Sequence, residues 1–410
     1  MGFPGIYQGT QCLLHGCDPY NPHQLESFYA ASGSLPTSES PERLQAVTLY
    51  VNLPTTFLFV APFTLLPLQS AQAIWNGLLI LAFLSAAFLV WQLSAEYARR
   101  AALFLACVLL SNCIIVFSGG NTAGLVVALS VIAAWCIIQA RAEWLGVLCL
   151  AAALTVKPHD SGMVWLYFLL VGGIPRKRAL QSAALAAVLS IVAVCWVSVA
   201  APHWMSEMRT NLAAISSPGG INEPGPTSIG VNSADMIIDL QTVFSIVWNQ
   251  PQFYNALTFI VCGAIFVLWV RAVLRARFAP QNAWFALVSG TMLSMLVTYH
   301  RSYDAKLLLL AIPACSMLSS RSGVVARTAY MLTAAAFLIT ADIPLTAITL
   351  GASHLPMSSS IWSDKLVSIV LGRPVPLILL AVTVFYLWVF IRETKRNKSI
   401  SPVNSAQFPG

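Results

Sequence analysis

The sequence predicts an all-α, polytopic transmembrane helix bundle of about 11 to 12 membrane segments. Three observations carry that expectation. Hydrophobic residues make up 58% of the 410 and charged residues only 9%, a balance that a soluble domain of this length could not present to water. Uncharged runs such as "WNGLLILAFLSAAFLVW", "LSIVAVCWVSVAA" with its flanks and "VPLILLAVTVFYLWVFI" supply the roughly 20 apolar residues that a helix needs to cross a bilayer core. The runs are unbroken rather than alternating every second residue, which argues against an outer-membrane barrel.

Apolar runs and their basic flanks place spans near residues 71–93, 101–118, 121–139, 143–157, 159–173, 178–201, 254–271, 282–299, 305–320, 327–346 and 372–392. A further run, 51–67, contains Pro54, Pro62 and Pro67. Three prolines in so short a stretch favour a broken or re-entrant segment over a straight span.

The net charge of +7 collects beside the spans, at Arg99 and Arg100, "PRKR", "RAVLRAR" and "RETKRNK". That is the positive-inside pattern, so the charge reads as topology rather than as a nucleic-acid site. With these clusters in the cytoplasm, the Lys/Arg-poor stretches 1–50 and 202–253 become outer, periplasmic loops. Residues 51–392 form the bundle, and 393–410 are expected as a disordered cytoplasmic tail. No n-region, apolar h-region and cleavage site opens the sequence, so no removable signal peptide is expected. "YHRSYDAK" falls at the outer boundary. If 51–67 does not cross, "GGN" at 119–121 and "KPHD" at 157–160 face outward too. If it does cross, 143–173 is one broken span with Lys157 near mid-depth. The first arrangement keeps Arg99 and Arg100 inside and is preferred.

The second outer loop passes from a turn-rich "SSPGGINEPGPTS" to a segment opened by Asn232 and Ser233, either of which could cap a helix. Met236, Ile237, Leu240, Val243, Phe244 and Val247 then recur at helical spacing, with Asp235 and Asp239 off the stripe. This predicts a helix lying on the membrane or packed on the bundle. Seven of the nine cysteines lie in apolar spans as packing residues. Cys12 and Cys17 lie outside, on the oxidising face, where a disulfide and two free thiols are both open outcomes.

Ionisable groups at membrane depth are candidates for function, because hydrocarbon leaves an unpaired charge unstable by several kcal/mol. Three clusters qualify: Lys157, His159 and Asp160; His300, Arg301, Asp304 and Lys306; and Asp18 within "CDPYNP". The plain alternative for each is an interface anchor or a salt bridge between helices. Lys and Arg can hold phosphate oxygens while a carboxylate takes a proton from a hydroxyl, a chemistry suited to an anionic substrate embedded in the membrane. No Gly-rich phosphate loop and no Cys/His metal spacing is present, so neither a cofactor nor a metal is expected. Asn121, after Gly119 and Gly120, opens a span where free N–H groups would favour an anion; an ordinary helix cap accounts for it equally.

Four stretches, "YQGTQCLLHGCDPYNP", "LPTTFLFVAPFTLLPLQSAQAIWNGLL", "GGNTAGLVVALSVIAAWCII" and "LGVLCLAAALTVKPHDSGMVWLYFLL", resemble in order and spacing bacterial glycosyltransferase family 87. The family is similar to polyprenyl-phosphate-mannose-dependent mannosyltransferases. The resemblance implies a C-type glycosyltransferase fold in the inner membrane, with its active site at the outer face. It implies a polyprenyl-phosphate sugar as donor, probing mannose first among hexoses, and a glycan or glycolipid as acceptor. Lys157 becomes the leading contact for the lipid-linked phosphate, with His159, His300 and Arg301 assisting. Asp18 and Asp304 become the candidate bases, and Tyr20, Asn121 and Asp160 acceptor-binding or structural residues. Members carry an aspartate just before the "DPY" segment; here its place falls at about Gly2 or Phe3, neither of which can act as a base. The membrane helix expected ahead of it is missing too, so the start is displaced or the chain is a divergent member. A transporter or lipid flippase, or a non-catalytic family member, is the alternative class. The two long outer loops favour chemistry at the membrane surface.

Overall fold

The computed structural model describes residues 2–33, 47–226, 236–353 and 361–400. Backbone groups in hydrocarbon must be satisfied within their own segment, which restricts apolar runs to helices. The elements follow accordingly: α1 (Phe3–Leu14), α2 (Pro22–Ala31), α3 (Thr55–Val60), α4 (Leu68–Leu110), α5 (Ile114–Ser118), α6 (Thr122–Ile138), α7 (Glu143–Val156), α8 (Pro158–Val171) and α9 (Gly173–Ala200). Then come α10 (Trp204–Ser216), α11 (Leu240–Val247), α12 (Pro251–Arg275), α13 (Pro280–Val297), α14 (Ala311–Ser319), α15 (Val324–Ile339), α16 (Asp342–Ser353), α17 (Ile361–Val370) and α18 (Pro374–Ile400). Among the described residues the extended pairing is limited to an isolated bridge between Ile237 and Arg301.

Four helices, α4, α9, α12 and α18, are long and apolar enough to cross a membrane, and α15 with α16 makes a fifth, bent by 77°. Their outward faces carry exposed apolar side chains such as Phe88, Ile191, Val199 and Val267, as lipid contact requires. This is fewer than the expected 11 to 12 segments, for two reasons. The first two expected spans fall together in α4, whose 43 residues break at Ala98 (φ −149°, ψ 73°), beside Arg99 and Arg100, into two helices. Other expected spans are too short: α7 and α8 have 14 residues each, about 21 Å at 1.5 Å per residue, against a core of about 30 Å. The proline-rich run forms one short helical stretch, Thr55–Leu65, whose last part over Ala61–Leu65 is a 3₁₀ turn.

Helices α7 and α8 form a hairpin. Pro158 takes the first position of α8, where its missing N–H does no harm, and its ring drives the preceding residue out of the helical region; Lys157 accordingly sits at φ −149°, ψ 79°. At the far end Arg178, early in α9, pairs with Glu143 at the start of α7 through Nε and Oε2 at 2.5 Å. The indole of Trp165 donates to the carbonyl of Ala179 at 2.9 Å. These contacts bring the start of α7 beside the end of α8, so Lys157 is the apex of two antiparallel arms, not the middle of one straight span. The α13 helix is buried along almost all its length. Its Gly290 lets Trp269 of α12 approach; a Cβ there would lie 2.9 Å from the indole.

The outer segments depart from expectation in detail. Helix α11 begins at Leu240 and is capped by Asp239, whose carboxylate accepts the N–H of Thr242 at 3.2 Å. Asn232, Ser233 and Asp235 lie outside the described residues. Met236 and Ile237 are not on the helix: they are extended and pair with residues 300–302, with Ile238 N–H donating to the His300 carbonyl at 2.9 Å and Ser302 N–H to the Met236 carbonyl at 3.0 Å. At the C-terminus α18 stays helical through Ile400, past the point where a disordered tail was expected.

Cys12 and Cys17 are joined in a disulfide, with Cα atoms 5.0 Å apart. The turn of "CLLHGC" makes this feasible. Gly16 takes φ +81°, Cys17 N–H donates to the Cys12 carbonyl at 3.0 Å and Gly16 N–H to the Leu13 carbonyl at 3.2 Å. These are the two bonds of a Schellman cap, which folds the chain back over the last helical turn.

Two measurements check this architecture. In a background with the other thiols replaced, Ser217→Cys should be labelled by an impermeant reagent applied outside and Lys177→Cys should not; the reverse would invert the topology. Protein alkylated before and after reduction should carry label on Cys12 and Cys17 only after reduction, as read by mass spectrometry.

Candidate functional site

The hairpin apex meets the chain that leaves α13. Lys157 Nζ lies 2.9 Å from Asp160 Oδ2 and also pairs with Asp304 Oδ1. The second oxygen of Asp304 accepts the backbone N–H of Arg301 at 2.8 Å. Both carboxylates are fully buried, so removing the ammonium would leave two uncompensated charges, a loss on the order of 3–5 kcal/mol for one broken buried pair. The ammonium also lies 5.4 Å from the centre of the Tyr303 ring. His300 Nε2 is 3.3 Å and His159 Nε2 is 3.6 Å from Asp160 Oδ1, and the two imidazole rings sit 5.1 Å apart.

Short backbone bonds hold this arrangement. The bridge to residues 236–238 fixes residues 300–302, and His300 Nδ1 lies 2.9 Å from the Thr298 carbonyl. Arg301 turns towards the second outer loop: its guanidinium donates to Tyr299 Oη at 2.8 Å, to the Ile221 carbonyl at 2.8 Å and to Asn222 Oδ1 at 3.1 Å. It therefore pins that loop beside the apex. Thr55 of α3 donates to the Thr155 carbonyl, 2.5 Å away, and so anchors the proline-rich segment next to Lys157. A cavity of about 350 Å³ opens between α8, α12 and α13; Met163, Phe259, Phe266 and Leu293 give it apolar walls, and His159 and His300 its polar end.

Of the residues singled out in the sequence, Lys157, His159, Asp160, His300 and Asp304 converge, with Arg301 at their edge. The others do not join them. Asn121 is an ordinary cap, its Oδ1 accepting the N–H of Ala123 at 2.9 Å. Tyr20 is structural: it is buried, donates to the Asn52 carbonyl at 2.8 Å, and packs on Tyr50 with ring centres 5.3 Å apart. Lys306 faces away, to the Thr340 carbonyl at 2.9 Å and Asp342 Oδ1 at 2.8 Å, and Asp342 also accepts the Ile115 N–H. Gly2, near the place of the family aspartate, has no room for a side chain, because a Cβ would fall 2.2 Å from the Gly119 carbonyl oxygen.

Asp18 accepts the N–H of Tyr20 at 2.9 Å, an Asx turn that shapes the "DPY" loop. Burial, together with the Glu207 carboxylate of α10, pushes its carboxyl up to about 6. Glu207 was not singled out in the sequence, although it is one of few acids in a basic-poor outer loop. Asn21 donates to it at 2.9 Å, and Asn211 of the same helix donates to the carbonyls of Tyr20 and Tyr50. The "DPY" loop is thus docked on α10.

A model of glycosyltransferase family 87 matches residues 50–298. The matched region contains the whole hairpin and ends just ahead of His300. No curated protein and no solved structure matches the chain.

The raised Asp18 carboxyl has a signed consequence. The folded loop binds a proton that the unfolded chain, with an ordinary value of 3.8, has released, so docking is strongest below about pH 4 and weakens as the pH rises through about 6. Hydrogen exchange of residues 17–31, corrected for intrinsic rates, should show more protection at pH 5 than at pH 7.5, and Asp18→Asn should shrink that difference.

Proposed function

Because the chain belongs to glycosyltransferase family 87, we propose that it transfers a hexose, with mannose the first to test, from a polyprenyl-phosphate donor to a glycan or glycolipid acceptor at the outer face of a bacterial inner membrane. The observation that carries this reading is the buried ammonium of Lys157 beside two histidines that close the polar end of an apolar cavity. Transfer releases the lipid phosphate as an anion, and a fixed cation lowers the barrier to its departure. Lys157 has three N–H donors, one more than its two carboxylates engage. The N-terminus of α8 adds its own positive end at the same place.

In this reading the acceptor hydroxyl attacks the anomeric carbon, the bond to phosphate breaks, and the hydroxyl proton passes to a carboxylate of the cluster. Asp304 is the first candidate for that proton, since it belongs to the cluster; Asp18 belongs to the outer loop. His159 and His300 face the space that a phosphate at the cavity mouth would occupy. Arg301 acts on the loop rather than on the phosphate. The C-type glycosyltransferase fold is part of the same proposal.

Lys157→Ala should lower transfer from polyprenyl-phosphate mannose in reconstituted vesicles by on the order of 100-fold, and Lys157→Arg should keep part of the activity because it keeps the charge. Near-normal turnover in folded Lys157→Ala would refute the phosphate contact.

A further inference from the structure

Three side chains at the apex are disposed as ligands. One ligand atom each of His159, Asp160 and His300 lies within 4.8 Å of the other two, and Asp160 Oδ1 is 3.6 Å from His159 Nε2 and 3.3 Å from His300 Nε2. Ligands held about 2.0–2.2 Å from a tetrahedral ion stand about 3.3–3.6 Å apart, so the two spacings from Asp160 fit two edges of such a site.

At 3.3 Å the His300 contact is longer than an ordinary N–H···O hydrogen bond, and both residues are buried. A carbonyl can only accept, so the Thr298 carbonyl 2.9 Å from His300 Nδ1 sets the proton on that nitrogen. In the neutral ring, Nε2 then directs a lone pair at a carboxylate oxygen that also has only lone pairs to offer. A cation stabilises such a pair, either a second proton on the ring or a metal ion between the two atoms. The outer contacts are those a metal site needs: a carbonyl orients one histidine, and Lys157 holds the other oxygen of the carboxylate at 2.9 Å.

We infer that His159, Asp160 and His300 bind one divalent ion of the zinc class, with an open coordination position facing the apolar cavity. Two imidazoles and one carboxylate suit zinc, cobalt or nickel rather than magnesium or calcium, and three protein ligands with an open position are the pattern of reactive rather than purely structural zinc sites. The binding itself does not depend on the glycosyltransferase reading. Only a role for the ion against a donor phosphate rests on it.

The test uses the full chain in detergent, stripped by chelator and titrated with cobalt(II) in the absence of any sugar donor, followed by elemental analysis after dialysis against zinc. One equivalent should bind, with the visible absorption of a four-coordinate cobalt centre. His159 is 44% exposed, so His159→Ala should keep the wild-type melting temperature while its affinity falls on the order of 100-fold or more. His203→Ala, at an exposed histidine outside the site, should bind as wild type. Absence of stoichiometric metal in the wild type, or equal binding by folded His159→Ala, would overturn the inference. Either result leaves the Lys157 assay to judge the transfer reaction separately.

Discussion

The structure turns on a charge held at a helix break. Lys157 is stable at the apex only because Asp160, one turn along α8, and Asp304, from the far half of the chain, both face it. Each of the three would be costly alone, and together they fix where the α7–α8 hairpin meets the segment after α13. The bridge to residues 236–238, the Arg301 clamp on Ile221 and Asn222, and the Thr55 contact to Thr155 then gather the outer segments around that meeting point. Local sequence makes the break through Pro158, and long-range charge pairing makes it a junction.

A second buried pair does comparable work without entering the site. Lys306 and Asp342 link the 3₁₀ turn over Asp304–Leu310 to the 77° bend between α15 and α16, and the Ile115 N–H ties α5 to the same carboxylate. Three interruptions of helical structure therefore share one ion pair. The Thr340 carbonyl freed at the bend accepts from Lys306 and the Ile115 N–H donates to Asp342, which is the kind of pairing that permits irregular chain inside an apolar bundle.

The helical class and the break at Lys157 and Pro158 were legible in the sequence, because apolarity and a proline beside a charge are local signals. Which charges meet was not. Asp304 and Lys306 look like members of one cluster in "YHRSYDAK", yet residues two apart on a 3₁₀ turn point in different directions, so one faces Lys157 and the other Asp342. The start of α11 was misplaced for a similar reason: Met236 and Ile237 fit the helical stripe, but pairing with residues 300–302 claims them, and that partner lies some sixty residues on in the chain. Apolarity alone does not fix the span count, since the 14-residue α7 and α8 and the 28-residue α9 carry the same compositional signal. That His300 meets His159 and Asp160 was not legible either, because it is far from them in sequence and no spacing rule joins them.

The shortness of the α7–α8 hairpin bears on how a lipid would reach Lys157. Arms of about 21 Å do not match a hydrocarbon layer of about 30 Å, and a bilayer answers such a deficit by thinning or by admitting headgroups beside the short element. With headgroups drawn towards the apex in this way, the lipid-linked donor proposed above would meet the Lys157 ammonium near the depth of its own phosphate, without dragging charge through the acyl chains.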